Sequence, residues 1–196
     1  MSNIIQSPNP DSENGDFINI SHYLKKTAKD QPYKRAVVFP VSRDRAGHVT
    51  YSHYTFLQLN RESDNIAAGL ERIGIRRGVR TILMVKPSLD FFALTFALFK
   101  VGAIPVMVDP GMGIRRMLGC LQEGRPTAFI GIPKAHLLRK LCPGYFNTVK
   151  IWVTVGNCWF WGGYRLKDLQ KDQPKPHIAA QTGRDETAAV LFTTGS

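Results

Sequence analysis

Five short, unbroken apolar runs constrain this chain more than any other feature. They are Thr81-Ile82-Leu83-Met84-Val85, Ile104-Pro105-Val106-Met107-Val108, Ala128-Phe129-Ile130-Gly131-Ile132, Ile151-Trp152-Val153-Thr154-Val155 and Ala188-Ala189-Val190-Leu191-Phe192. None alternates apolar with polar, so none fits a strand with one wet face; each fits a strand covered on both sides. Helical patterns separate the first four. Strand, helix, strand in repetition is the parallel crossover, and it commits the chain to an α/β fold: a layered, mostly parallel sheet flanked by helices.

The helices have their own punctuation. Ser88 is placed to cap a helix whose Leu89, Phe91, Phe92, Leu94, Phe96, Leu98 and Phe99 cover nearly all sides, which predicts a buried helix that Gly102 ends. The whole stretch Leu89 to Val108 approaches the length of a membrane span, but Asp90, Lys100, Gly102 and Pro105 interrupt it. Ile114, Met117, Leu118 and Leu121 stripe a helix from about Ile114 to Gln122, and another is expected near Lys134 to Leu141. Upstream, Arg35 to Val41 and His48 to Tyr51 read as two strands around a polar turn at Arg43 to Gly47. Thr55 then caps a long helix with the stripe Leu59, Ile66, Leu70, Ile73 and a stop at Gly74. Gln170 to Arg184 is polar and reads as an exposed connection inside one unit, so the organisation expected is a disordered tail over 1–16 and a single portion of a domain over 17–196.

Composition excludes several classes. Glycine and proline recur at no fixed period, so no repeat array carries the fold. Cys120, Cys142 and Cys158 are odd in number and widely spaced, which argues against a disulfide framework or a metal pair and for buried thiols in a reducing, cytoplasmic setting. The first residues lack the basic start and apolar core of a secretion signal. His22, His48, His53, His136 and His177 form no ligand spacing, so no metal site is assigned and the histidines read as surface or satisfied polar residues. No GxSxG elbow and no GxxxxGK[ST] loop occurs. Asp109-Pro110-Gly111-Met112-Gly113 follows a strand, but the next glycine is Gly119, so it reads as a tight turn and not a dinucleotide fingerprint.

Lys and Arg number 26 against 15 Asp and Glu, a formal charge of +11, which favours acidic partners without choosing among them. Arg72, Arg76, Arg77 and Arg80 fit a solvated helix end, and alternatively a nucleic-acid groove. Trp152, Trp159, Phe160, Trp161 and Tyr164 fit hydrophobic anchoring, and alternatively base stacking. The most informative chemistry lies where the last apolar run empties into Thr193-Thr194-Gly195-Ser196. Hydroxyls donate to phosphate oxygens, and glycine lets successive N–H groups turn toward one point. From residue types alone, an anion cradle and an ordinary strand-to-turn exit fit these four residues equally.

Taken in order, the motifs resemble the N-terminal part of the AMP-forming acyl-adenylating enzymes, the superfamily of acyl-CoA synthetases, luciferases and peptide-synthetase adenylation domains. Val49-Thr50-Tyr51 looks like its "TY…L" opening, Phe99 to Pro110 like its "K-x-G-A-x-x-x-P-x-x-P" region, and Phe192 to Ser196 like the first half of its Thr/Ser/Gly-rich phosphate loop. Val108 to Gly113, Cys120 to Glu123 and above all Ala128 to His136 look most like the β-lactone synthetases of long-chain olefin biosynthesis. The resemblance implies ATP and Mg2+ as cofactors, with Thr193, Thr194, Gly195 and Ser196 on the ATP phosphates. It implies a 2-alkyl-3-hydroxy fatty acid that is adenylated and then closed to a lactone, and other enzymes of that pathway as possible partners. Nucleic acid and a transmembrane segment are not expected. The alternatives are a fatty-acyl-CoA or acyl-AMP ligase, and a small basic nucleic-acid- or membrane-binding module. Set against the superfamily pattern, the chain is an N-terminal fragment with no catalytic residue or metal ligand of its own, expected to be inactive alone.

Overall fold

The computed structural model describes residues 18–157, 161–171 and 176–193. The expected tail over 1–16, Cys158, Trp159 and Phe160, and Thr194, Gly195 and Ser196 lie outside them.

The first element has no counterpart among the expectations. α1 (Ser21–Asp30) buries Ser21, Leu24 and Ala28. Asn19 organises its start: the amide oxygen accepts from the Ser21 N–H (3.0 Å) and hydroxyl (2.7 Å), while the amide nitrogen donates to the carbonyls of Phe99 (2.8 Å) and Ala180 (2.9 Å). One buried side chain therefore joins three distant segments. β1 (Arg35–Arg43) and β2 (Val49–Thr55) form an antiparallel hairpin longer than the sequence pattern predicts. Its turn is closed by Asp44, whose carboxylate accepts from the His48 N–H at 2.8 Å.

α2 (Phe56–Arg72) starts on a capping box. The Thr55 hydroxyl accepts from the Gln58 N–H at 3.2 Å, and the Gln58 side chain accepts from the Thr55 N–H at 2.9 Å. Leu59, Ile66 and Leu70 of its stripe are buried and Ile73 half-buried, and Gly74 turns the chain away at φ +93°.

The main sheet follows the expected alternation. Its elements are β3 (Arg80–Met84), α3 (Leu89–Lys100), β4 (Ile104–Val108), α4 (Ile114–Glu123), β5 (Ala128–Gly131), α5 (Pro133–Leu141), β6 (Ile151–Thr154), β7 (Tyr164–Arg165), α6 (Leu166–Leu169) and β8 (Val190–Phe192). The strand order is β7-β6-β5-β3-β4-β8, and every pairing is parallel. Successive strand residues point to opposite faces, so Leu83, Ile130 and Val153 pack under α1, α2, α3 and α6, while Ile82, Val106 and Phe129 pack under α4 and α5. Both faces are covered along β3 to β6, which is why those strands are unbroken apolar runs; β8 departs from the expectation, since it lies at the sheet edge with Leu191 65% exposed.

Three expectations are modified. α3 is not buried all round: Ala93, Leu94, Ala97 and Leu98 are buried, while Phe91, Phe92 and Phe96 are half-buried. Two alanines on its inner side let α2 approach closely and leave the larger rings at the margins. The segment after Gln170 is fastened as well as exposed, since the Ala180 N–H donates to the Lys100 carbonyl at 2.7 Å and Arg77 donates from Nε and Nη2 to the two carboxylate oxygens of Glu186. Cys120 and Cys142 are half-buried, not buried.

Candidate functional site

Parallel strands bring all their carboxyl ends to one rim, and the N-termini of α3, α4 and α5 open onto the same rim. Ser88 caps α3 there, its hydroxyl accepting from the Phe91 N–H at 3.2 Å. Chain order against strand order gives a switch point between β3 and β5, whose outgoing helices leave on opposite faces.

β8 reaches this rim two strands away, beside β4. The pairs Val106↔Val190, Met107↔Leu191 and Val108↔Phe192 place it in register, and the Asp109 N–H extends the ladder by donating to the Phe192 carbonyl at 3.0 Å. Thr193 comes next and is exposed. The strand that carries the predicted phosphate loop therefore ends at the carboxyl edge, next to the turn that begins with Asp109. That turn is the tight one the sequence predicts: a 3-10 turn, Pro110–Met112, in which the Asp109 carboxylate accepts from the Gly111 N–H at 2.8 Å and Gly113 leaves at φ +80°. Sequence reasoning marks Asp109 only as a turn residue. Its contact with the last strand depends on β8 returning beside β4, which no local pattern announces.

Of the four predicted phosphate-binding residues, Thr193 is thus placed at the rim, and Thr194, Gly195 and Ser196 fall outside the described residues. Among the described residues no group of three or more His, Cys, Asp and Glu is arranged to hold a metal ion. A cavity of about 520 Å³ lies on the other side of the sheet's length, at the amino end of β4, lined by Ile20, Phe99, Ile104 and Ala188 among others. It is separated from Thr193 by the length of the strand.

The other candidates resolve into structure. Arg77 pairs with Glu186, Arg72 donates to the Asp168 carbonyl (3.4 Å) and Arg80 to the Gly124 carbonyl (3.0 Å), so the arginine run is spread over three separate contacts. Trp152 packs on Phe129 with ring centres 5.5 Å apart and lies under the Arg139 guanidinium at 3.9 Å. Trp161 stacks on His136 at 6.2 Å, and His136 is fully buried with its Nε2 3.1 Å from the Thr154 hydroxyl and 3.2 Å from the Val153 carbonyl. Burial is the main influence on that imidazole and holds it below the usual histidine pKa, in its neutral form. The described tryptophans therefore serve packing.

A profile of the AMP-binding enzyme family matches residues 24–196, almost the whole of the described chain. The chain belongs to the AMP-binding enzyme family. This member is 44% identical over 180 residues to the olefin beta-lactone synthetase of Xanthomonas campestris pv. campestris, covering 91% of this chain and 32% of that protein. It is also 44% identical over 182 residues to the olefin beta-lactone synthetase of Stenotrophomonas maltophilia, covering 91% and 33%. The chain thus spans about a third of the length of these curated relatives. Its fold matches that of acetoacetyl-CoA synthetase from Streptomyces lividans with a TM-score of 0.76 at 18% identity, over 91% of this chain and 29% of that one. No helix among the described residues is long and apolar enough to cross a membrane.

Proposed function

We propose that this chain supplies the N-terminal part of an ATP-dependent, AMP-forming ligase that adenylates a fatty-acid carboxylate, and that the product is a β-lactone closed from a 2-alkyl-3-hydroxy fatty acid. The observation that carries this reading is the 44% identity to two olefin beta-lactone synthetases over 91% of the chain. The position of Thr193 at the carboxyl rim, beside Asp109, supports it.

In the proposed reaction a substrate carboxylate oxygen attacks the α-phosphorus of ATP and expels pyrophosphate, giving an acyl adenylate. The substrate's own 3-hydroxyl then attacks the acyl carbon, loses its proton and expels AMP as the four-membered ring closes. Holding hydroxyl and acyl carbon in one molecule replaces a second substrate. The contribution of this chain is to hold phosphate: the Thr193 hydroxyl would donate to a phosphate oxygen, with Thr194, Gly195 and Ser196 continuing the loop and stabilising charge on departing pyrophosphate. Mg2+ would accompany the triphosphate as its counter-ion, and no residue of this chain is assigned to it.

The test uses the full-length protein with MgATP and a synthetic 2-alkyl-3-hydroxy fatty acid, with and without coenzyme A, and follows pyrophosphate, AMP and the acyl product. Lactone formed without coenzyme A is expected. A coenzyme A thioester would replace the lactone step with thioester formation, and no pyrophosphate under either condition would overturn adenylation itself. The 196-residue chain alone is expected to show no pyrophosphate exchange above background, because Thr193 to Ser196 are the only nucleotide contacts it is assigned.

A further inference from the structure

The last backbone bond before the exit of β8 comes from a residue that carries a carboxylate. Val108↔Phe192 is the final pair of the β4–β8 ladder, and the Asp109 N–H continues it onto the Phe192 carbonyl at 3.0 Å. The Phe192 carbonyl and the Thr193 N–H share one planar trans peptide and point in opposite directions. Pinning the carbonyl toward β4 therefore aims the first N–H after the strand away from β4, and it sets the plane from which Thr193 leaves.

The donor itself is held by a side chain. Oδ1 of Asp109 accepts from the Gly111 N–H at 2.8 Å, and the Asp109 carbonyl accepts from the Met112 N–H at 3.3 Å, so a closed turn fixes the residue on the far side of its own N–H. Proline at 110 has no N–H to offer, which leaves Gly111 as the first donor the carboxylate can reach. Gly111 also gives that oxygen room, since a Cβ there would lie 3.1 Å from Oδ1. A negative charge beside a phosphate works against the ligand. Contact with the nucleotide therefore does not account for an acid at this place, whereas an acceptor for the Gly111 N–H does.

The geometry points to Asp109 as a positioning residue for the proposed phosphate loop. Its carboxylate, acting as a hydrogen-bond acceptor and not as a charge, closes the Pro110–Met112 turn and so holds the peptide from which Thr193 leaves. The proposal rests on the ligase reading of that loop. Every contact it uses lies within this chain, so none depends on what covers the rim in the full-length protein.

The test uses the full-length protein and the variants D109A, D109N and G111A. In D109A, kcat/KM for ATP in pyrophosphate release should fall about tenfold, the scale of one turn-closing hydrogen bond, with the KM for the fatty acid unchanged. D109N keeps an acceptor at the same place and should restore most of the loss. G111A crowds the same oxygen and should move in the direction of D109A by a smaller factor; if D109A does not fold by circular dichroism, G111A carries the test. Amide hydrogen exchange is a second readout that needs no turnover. The peptide bearing Phe192 to Ser196 should exchange faster in D109A than in the parent and D109N, while peptides of β5 and β6 exchange alike in all three. A parent that releases no pyrophosphate would overturn the ligase reading, and the exchange comparison would still decide whether Asp109 holds the strand exit. D109N as slow as D109A would overturn the proposal by making charge the requirement. So would D109A with unchanged exchange and ATP kinetics, or with faster exchange throughout the sheet, which would make Asp109 a general support of the fold.

Discussion

The Lys100 ammonium lies 2.6 Å from Oδ1 of Asp64, with 3% of the lysine side chain and 11% of the aspartate side chain left exposed. The same nitrogen donates to the Asn60 carbonyl at 2.9 Å and to the Asn60 amide oxygen at 3.0 Å, so all three of its protons have acceptors. The Asn60 amide nitrogen in turn donates to the other Asp64 oxygen at 3.3 Å. Burial pushes the Lys100 pKa down, against the opposing pull of Asp64. The pair joins the middle of α2 to the last residue of α3, and the Lys100 carbonyl receives the returning segment at Ala180.

Removing one partner leaves a buried charge uncompensated. D64A and K100M are each expected to cost about 3–5 kcal/mol in urea unfolding. The double variant D64L/K100M should recover most of that loss, since apolar replacement of a buried pair is often neutral or stabilising. Equal, additive losses in the double variant would show that the pair's charge is not what matters.

Tyr54 gives a pH dependence from the same cause, burial, acting in the opposite direction. Burial, reinforced by Glu62 and Asp90, raises its phenol pKa from 10.0 to about 12. A group whose folded pKa is raised contributes stability that is complete below pH 10 and is lost as pH rises through about 12. Y54F cannot ionise, so its unfolding free energy should fall less than the parent's across that window. Parallel pH profiles for the two proteins would contradict the shift.

The legible parts of the fold are those with a local cause. Unbroken apolar runs mark β3 to β6 because both faces of the sheet are covered there, β8 is marked by its run although Leu191 at the edge is exposed, and Thr55 and Ser88 mark helix starts because their side chains accept from first-turn N–H groups. α1 has only Leu24 and Ala28 as buried apolar positions, too few to register as a period. β7 is two residues and α6 four, and both are held by contacts with distant elements. Lys100 was visible as an interruption of an apolar run, but its partner lies 36 residues upstream on another helix. At the site, the strand and Thr193 were legible, whereas the Asp109–Phe192 contact spans a return of the chain that only the fold supplies.

The approach of α6 to α2 makes Gly69 a sensitive position. A Cβ there would lie 2.6 Å from the Leu169 carbonyl oxygen and 2.7 Å from the Leu169 Cβ. G69A gains about 1 kcal/mol of helix propensity, but α6 must move, and a net loss of about 1–3 kcal/mol is expected. Gly119 of α4 is the control: a Cβ there meets nothing within 4 Å, so G119A should stabilise by up to about 1 kcal/mol. Calorimetric melting of both variants separates crowding from propensity, and a stabilised G69A would mean that α6 yields freely.

Thr193 is where fold and proposed chemistry meet. Its position depends on backbone only, through β8 in register with β4 and the Asp109 N–H on the Phe192 carbonyl, so removing its hydroxyl should leave the rim intact. In the full-length protein, T193A is therefore expected to lower the kcat of pyrophosphate release by about 100- to 1,000-fold, the range for losing one preorganised donor to a charged oxygen. The KM for the fatty acid should change little, because the acid does not contact this loop in the proposed reaction. T193S keeps the hydroxyl and should restore most of the rate. A T193A protein with unchanged kcat, or a T193S protein as slow as T193A, would remove this residue from phosphate binding and return β8 to an ordinary strand-to-turn exit.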